Sequence, residues 1–221
     1  MNHARLSLSA IVFDFDGTLA KLNIDFPRMR KAVLGLMYSF GIHPNNPENL
    51  FVLEMIEEGK RMIARHSPEK ESDFVLQANN LIEYIEIKAA ENGKLIDGTR
   101  EMLDELKRRG IKTGVVTRNC EAAVNHVFPD IHSYFDSIMT RDHTPLVKPN
   151  PEHLRLSLQE LRMAPKCASM VGDHPMDIRI GRDVGVLTIG VLTGTSSRND
   201  LIQAGADLIL GKAPDLIEII S

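Results

Sequence analysis

The amino-acid sequence predicts an α/β fold, a doubly wound parallel sheet interrupted after its first strand by an all-helical insertion. Three observations carry that expectation. An apolar run, Ile11-Val12-Phe13, ends in Asp14 and Asp16 and then turns at Gly17, the pattern of a strand buried on both faces of a parallel sheet. From about residue 20 to 92 the apolar positions follow a helical period, with no strand pattern. From Gly93 onward strand and helix patterns alternate, which calls for parallel strands joined by crossover helices.

Taken in order, Gly17 to Pro27 reads as turn and loop. Arg28 to Phe40 reads as a helix, because Met29, Val33, Leu36, Met37 and Phe40 fall on one face. Gly41-Ile42-His43-Pro44 stops it. Asn46-Pro47 supplies a cap with proline at the first helical position, and Leu50, Leu53, Ile56 and Ile63 continue an apolar face to His66. Ser67-Pro68 repeats that start signal, and Phe74, Ala78, Leu81, Ile82, Ile85 and Ala89 stitch a helix to about Asn92. Beyond Gly93, helices are predicted over 99–109, 121–127, 151–161 and 176–184, with a short one from Pro214. Strands are predicted over 111–117, 137–140, 168–172, 186–191 and 207–210. The first of these helices carries Asp104/Arg108 and Glu105/Arg109 in the favourable i, i+4 order. Residues 1–19 with 93–221 are therefore expected to form a Rossmann-like α/β core, and residues 20–92 an inserted helical cap domain able to act as a lid.

Bulk composition narrows the partners. Of 221 residues, 43% are hydrophobic and 25% charged, with a formal net charge of -4. No basic bias points to nucleic acid or an anionic membrane surface. No window approaches the ~18 uninterrupted apolar residues of a membrane span, and Met1 to Ser9 lacks the apolar segment of a secretory signal. The expectation is a cytoplasmic monomer or weak homodimer. Cys120 and Cys167 lie far apart without metal-type spacing and read as ordinary reduced thiols.

Four predicted strand ends hold polar residues that could converge: Asp14/Asp16, Thr117-Arg118-Asn119, Lys148-Pro149, and Gly172-Asp173 with Asp177. In open α/β sheets ligands bind at the carboxyl ends of the strands. Alone, each has an ordinary reading as a cap, a solvated lysine or a turn residue. Together they fit phosphoryl transfer. Asp14, Asp16 and Asp173 gathered at one edge would repel one another unless a cation sat among them, and hard oxygen ligands suit Mg²⁺. A lysine offsets the charge of a bound phosphate, while a hydroxyl and backbone N–H groups hold its oxygens. One carboxylate can then act as nucleophile. A second carboxyl would protonate the leaving alcohol and afterwards activate water.

The stretch Asp14-Phe15-Asp16-Gly17-Thr18-Leu19 resembles the first motif of the haloacid dehalogenase superfamily, and the other three sites resemble its remaining motifs in order. They are Val115-Val116-Thr117, Lys148-Pro149-Asn150-Pro151, and Val171-Gly172-Asp173-His174-Pro175-Met176-Asp177. The stretch Asp177-Ile178 to Gly181-Arg182, with Gly185 and Gly190-Val191-Leu192-Thr193-Gly194, is similar to the phosphoglycolate phosphatase branch. The resemblance implies that Asp14 is the nucleophile, Asp16 the general acid/base, and Thr117 and Lys148 the groups that hold and neutralise the phosphate. Mg²⁺ would be held by Asp14, Asp173 and the backbone carbonyl of Asp16, with Asp177 in support. Many relatives place Asn directly after the second-motif hydroxyl, whereas here Arg118 intervenes before Asn119. Arg118 and Asn119 are candidate phosphate contacts, Arg118 through its side chain or only through its backbone N–H.

The spacing sharpens the subtype. The long interval lies between Asp16 and Thr117, so the insertion follows the first motif, as in relatives that act on small soluble phosphates. Dehalogenases of the superfamily lack a carboxylate at the position of Asp16, because a halide needs no proton. Phosphonatases use a cap lysine as a Schiff base, but Lys21, Lys31, Lys60, Lys70 and Lys88 stand where solvated lysines are expected. The leading expectation is a Mg²⁺-dependent phosphatase of small phosphomonoesters, phosphoglycolate-like ones first, acting through an aspartyl phosphate. A sugar phosphomutase and a catalytically silent phospholigand-binding protein are the alternatives. Lys21, Arg28, Arg61, Arg65 and His66 are candidates for substrate choice, and His174 reads as a loop residue.

Overall fold

The computed structural model describes residues 6 to 220. They fall into two compact units, one of the residues up to Leu22 together with those from Gly93 onward, and the other Asn23–Asn92. In chain order, β1 (Ala10–Phe13) and β2 (Ala20–Lys21) precede helices α1 (Phe26–Ser39), α2 (Val52–His66) and α3 (Glu71–Ala90). Then come β3 (Lys94–Leu95), α4 (Thr99–Arg108), β4 (Lys112–Val116), α5 (Glu121–Val127), β5 (Ser137–Met139) and α6 (Glu152–Leu161). The chain closes with β6 (Ala168–Gly172), α7 (Pro175–Val184), β7 (Leu187–Val191), α8 (Arg198–Ala204), β8 (Leu208–Leu210) and a 3₁₀ segment, Ala213–Glu218, where the short helix from Pro214 is expected.

Six strands form one sheet in the order β5-β4-β1-β6-β7-β8, every neighbouring pair parallel. The chain winds outward from β1 in both directions, which is the doubly wound arrangement. All four residues of β1 are buried, as a strand covered on both faces requires. Ala10 and Val12 pack with Val116, Met170, Leu154, Leu158 and Ile180 in one core cluster. Phe13, one residue out of phase and so on the opposite face, meets Phe135 edge to face with centroids 6.3 Å apart. Phe13 pairs with Val115 on one side and Val171 on the other. Asp14, Thr117 and Asp173 therefore emerge together just past the carboxyl ends of three adjacent strands.

The helical unit has its own core, built from Met29, Val33 and Met37 of α1, Met55, Ile56 and Ile63 of α2, and Phe74, Ala78 and Ile82 of α3. Asp25 caps α1 by accepting the Arg28 backbone N–H at 2.9 Å. Among the described residues, no helix is long and apolar enough to cross a membrane.

The structure corrects several expectations. Ala20–Lys21 is not loop; it pairs antiparallel with Lys94–Leu95, a ladder too short to leave a period-two signal in the sequence. Residues 20 to 22 accordingly stay with the α/β unit. The proline at 47 opens a separate 3₁₀ turn, Pro47–Asn49. Leu50 and Phe51 are then extended, and α2 starts at Val52. Arg108 pairs with Glu105, not Asp104, so that Glu105 holds both Arg108 and Arg109, the latter at 2.6 Å. Helix α8 is absent from the sequence reading, although Ser197 and Asp200 form a reciprocal capping box whose spacing announces a helix start.

Candidate active site

The glycine turn after β1 sets the first motif. Gly17 has φ +86, a left-handed conformation that a side chain would strain, and it lets the chain fold back so that its N–H reaches the Ala20 carbonyl at 2.7 Å. Asp14 and Asp16 thereby part company. Asp14 is 7% exposed and faces inward, where the Lys148 ammonium reaches its Oδ1 at 2.5 Å. The Asp16 carboxylate instead accepts the Leu22 backbone N–H at 3.0 Å.

Lys148 lies between two acids, because its Nζ also donates to Asp177 Oδ1 at 2.7 Å. The other oxygen of Asp177 accepts the His174 N–H at 3.2 Å as part of the cap of α7. Asp14, Asp173 and Asp177 each bring a carboxylate oxygen within 4.8 Å of the others. Burial would by itself pull the Lys148 ammonium down, but Asp14 and Asp177 outweigh it and hold it above its ordinary value. Burial raises the Asp14 carboxyl, against the pull of Lys148. Burial, then the charges of Asp14 and Asp177, pushes Asp173 up to about 8. One lysine among these buried carboxylates leaves negative charge uncompensated, and hard oxygen donors at this spacing fit a divalent cation. The Asp16 carboxylate stands outside that cluster, with burial raising it to about 6.

Asp173 is held by close backbone approach. A Cβ built on Gly194, in the loop after β7, would lie 1.7 Å from Asp173 Oδ2, and one on Gly17 would lie 2.7 Å from its Cγ. The hydroxyl of Thr193 donates to the Gly17 carbonyl at 2.5 Å, tying that loop to the first motif. Gly194→Ala is expected to displace Asp173 and lower turnover by about 10²-fold or more, the cost of misplacing a reacting-site group by about 1 Å. Gly35→Ala, on α1 with open space around it, is expected to leave turnover unchanged. Steady-state assays of the two variants check the contrast.

The second motif lies on the other side of β1. Thr117 is buried; its N–H donates to the Met139 carbonyl at 3.0 Å and its Oγ1 accepts the Asn119 N–H at 3.1 Å. Accepting there, the hydroxyl has its own proton to donate. Asn119 Oδ1 accepts the Cys120 N–H at 2.9 Å, and its Nδ2 is buried without a hydrogen-bond partner. The Arg118 guanidinium reaches the Lys148 carbonyl and, at 3.7 Å, the sulfur of Met176. His174, the expected loop residue, accepts the Met176 N–H at 3.1 Å and so caps α7. Sequence reasoning does not single out His153, which the structure buries completely beside Lys148; a histidine at the start of a helix carries no distinguishing spacing. In the helical unit, Arg61 pairs with Glu58 at 2.6 Å and His66 bonds the Met62 carbonyl at 2.9 Å, both exposed. Arg28 lines a hollow of about 290 Å³ with Asn23, Asp25, Tyr84 and Lys88.

Comparison with known proteins bears on the family and the fold. The family model for haloacid dehalogenase-like hydrolase matches residues 11–191. The chain is 28% identical over 221 residues to the pyrophosphatase PpaX of Bacillus cereus, covering 98% of each chain. It is 30% identical over 187 residues to a haloacid dehalogenase-like hydrolase domain-containing protein of Arabidopsis thaliana, covering 84% of this chain and 71% of the other. Its fold matches the crystal structure of CbbY from Rhodobacter sphaeroides in complex with phosphate, with a TM-score of 0.64 at 24% identity, over 95% of this chain and 96% of that one. Fold and site together define an enzyme of the phosphoric ester hydrolase class. The chain belongs to the haloacid dehalogenase-like hydrolase family.

Proposed function

We propose that the chain is a Mg²⁺-dependent phosphatase of small phosphomonoesters that works through a phosphorylated Asp14. The observation that carries the reading is the division of labour within one motif. Asp14 lies in the carboxylate cluster with Lys148 on its oxygen, while Asp16, two residues on, is held apart by Leu22 and raised to about 6. A carboxyl poised near neutrality can give a proton and take one back.

The chemistry then runs in two balanced steps. An Asp14 oxygen bonds to phosphorus as the bond from phosphorus to the leaving oxygen breaks, and Asp16 gives that oxygen its proton. Water next attacks the phosphorus, Asp16 takes the proton back, and the bond from phosphorus to Asp14 breaks to release orthophosphate. Lys148 offsets charge on the nucleophile and the phosphoryl group, and Thr117 Oγ1 and Asn119 Nδ2 serve as donors to its oxygens. When bound, Mg²⁺ held by Asp14, Asp173 and the backbone carbonyl of Asp16, with Asp177 in support, supplies positive charge against the transferring phosphoryl group.

The helical unit, residues 23 to 92, is assigned the choice of substrate. A panel of phosphoglycolate, sugar phosphates, nucleotides and pyrophosphate tests the reading, pyrophosphate being included because the Bacillus cereus relative is a pyrophosphatase. Metal-dependent release of phosphate is expected. Chelation should abolish turnover and added Mg²⁺ restore it; turnover that persists at full rate in chelator contradicts the metal assignment.

A further inference from the structure

The His153 side chain, 0% exposed at the start of α6, joins two motifs that are far apart in sequence. Its Nδ1 accepts the Lys148 backbone N–H at 3.2 Å, and its Nε2 lies 3.0 Å from the Met139 carbonyl. An imidazole that accepts at Nδ1 must carry its proton at Nε2 to donate to that carbonyl. The same Met139 carbonyl, at the end of β5, accepts the Thr117 N–H at 3.0 Å. One buried ring thus connects the backbone of Lys148 to the carbonyl that fixes the backbone of Thr117. On its far side the Lys148 carbonyl accepts from Arg118, so the lysine is clamped through both of its peptide groups.

From this geometry we infer that His153 is a positioning residue, which aims the Lys148 ammonium at Asp14 and holds Lys148 and Thr117 in register through the shared Met139 carbonyl. The ring must stay neutral to accept at Nδ1, and the site keeps it so: burial, then the Lys148 charge, pulls its pKa to about 3. Lys148 has little freedom of its own to find the right place. Its ammonium must reach Asp14 and Asp177 at once, so a shift of its backbone moves both contacts. The inference rests on the phosphatase reading for its effect on turnover, but not for its hydrogen bonds.

Three substitutions separate positioning from simple packing. Asn places an acceptor where Nδ1 stood, Gln places a donor where Nε2 stood, and Phe fills the space with neither. His153→Phe is expected to lower kcat by about 10²-fold, as a displacement of about 1 Å would, with KM changed much less. His153→Asn should recover most of that loss and His153→Gln less of it. Amide hydrogen exchange on the same proteins gives a readout without turnover: the Lys148 amide should lose protection in the Phe and Gln variants and keep it in the Asn variant. Equal kcat in all three variants, or Lys148 protection retained in His153→Phe, would overturn the inference. If the unaltered protein releases no phosphate from the panel, the proposed function fails, while the exchange measurement still decides the role of His153.

Discussion

Asp14→Asn is expected to remove turnover almost entirely, by about 10⁴-fold or more, the scale seen when a covalent nucleophile is deleted, while the chain stays folded. Asn has the shape of Asp but a far weaker nucleophile, and it cannot form the acyl phosphate. The fold should survive because Lys148 keeps Asp177 as a partner at 2.7 Å and Asp173 loses a neighbouring like charge that helps push it up to about 8. Removing one carboxylate from an overcrowded buried set relieves repulsion. Phosphate release measured beside a thermal melt checks both halves: loss of turnover with an unchanged or raised Tm is the expected pair. Robust turnover in this variant would end the nucleophile assignment.

Asp16→Asn has the next largest expected effect, and it should depend on the leaving group. For an alkyl phosphate, whose alkoxide needs a proton, loss of general acid/base assistance costs about 10²- to 10⁴-fold. For an aryl phosphate with a weakly basic phenolate the first step should fall far less, because that leaving group departs without a proton. Water attack on the intermediate still needs a base, so the aryl substrate should give a burst of phenol followed by slow turnover. The geometry supports separate roles, since the Asp16 carboxylate bonds Leu22 and stands outside the cluster of Asp14, Asp173 and Asp177. Equal losses on both substrates, with no burst, would contradict the acid/base role of Asp16. Stopped-flow assays with the two esters make the comparison.

What was legible in the sequence follows from the length over which each signal acts. Buried parallel strands announce themselves as apolar runs, so β1, β4, β6 and β7 are close to their expected places, and the doubly wound class follows from the alternation after Gly93. Three of the four polar strand ends were legible for the same reason, since register alone brings Asp14, Thr117 and Asp173 to one edge; Lys148 is not at a strand end but in the loop between β5, which ends at Met139, and α6. Contacts made across the chain by single backbone groups were not legible. No spacing announces that Arg118 would bond the Lys148 carbonyl, that Gly194 would lie against Asp173, or that His153 would join Lys148 to Met139. The two-residue ladder of β2 and β3 was invisible because pairing of that length needs no pattern. Helix α8 was a different kind of miss, because its capping box was present in Ser197 and Asp200.

The covalent intermediate is the center of the account, and trapping it is the most direct test. Wild-type protein and the Asp16→Asn variant are mixed with an aryl phosphate and Mg²⁺, quenched in acid, and reduced with borohydride, which converts an acyl phosphate to an alcohol. Mass spectrometry of the peptide spanning Phe13 to Gly17 should then show homoserine in place of aspartate at position 14, only with substrate, and more of it in Asp16→Asn, where water attack is slowed. Phosphate released with Asp14 unmodified in both proteins, or the reduction product found at another residue, would contradict the account.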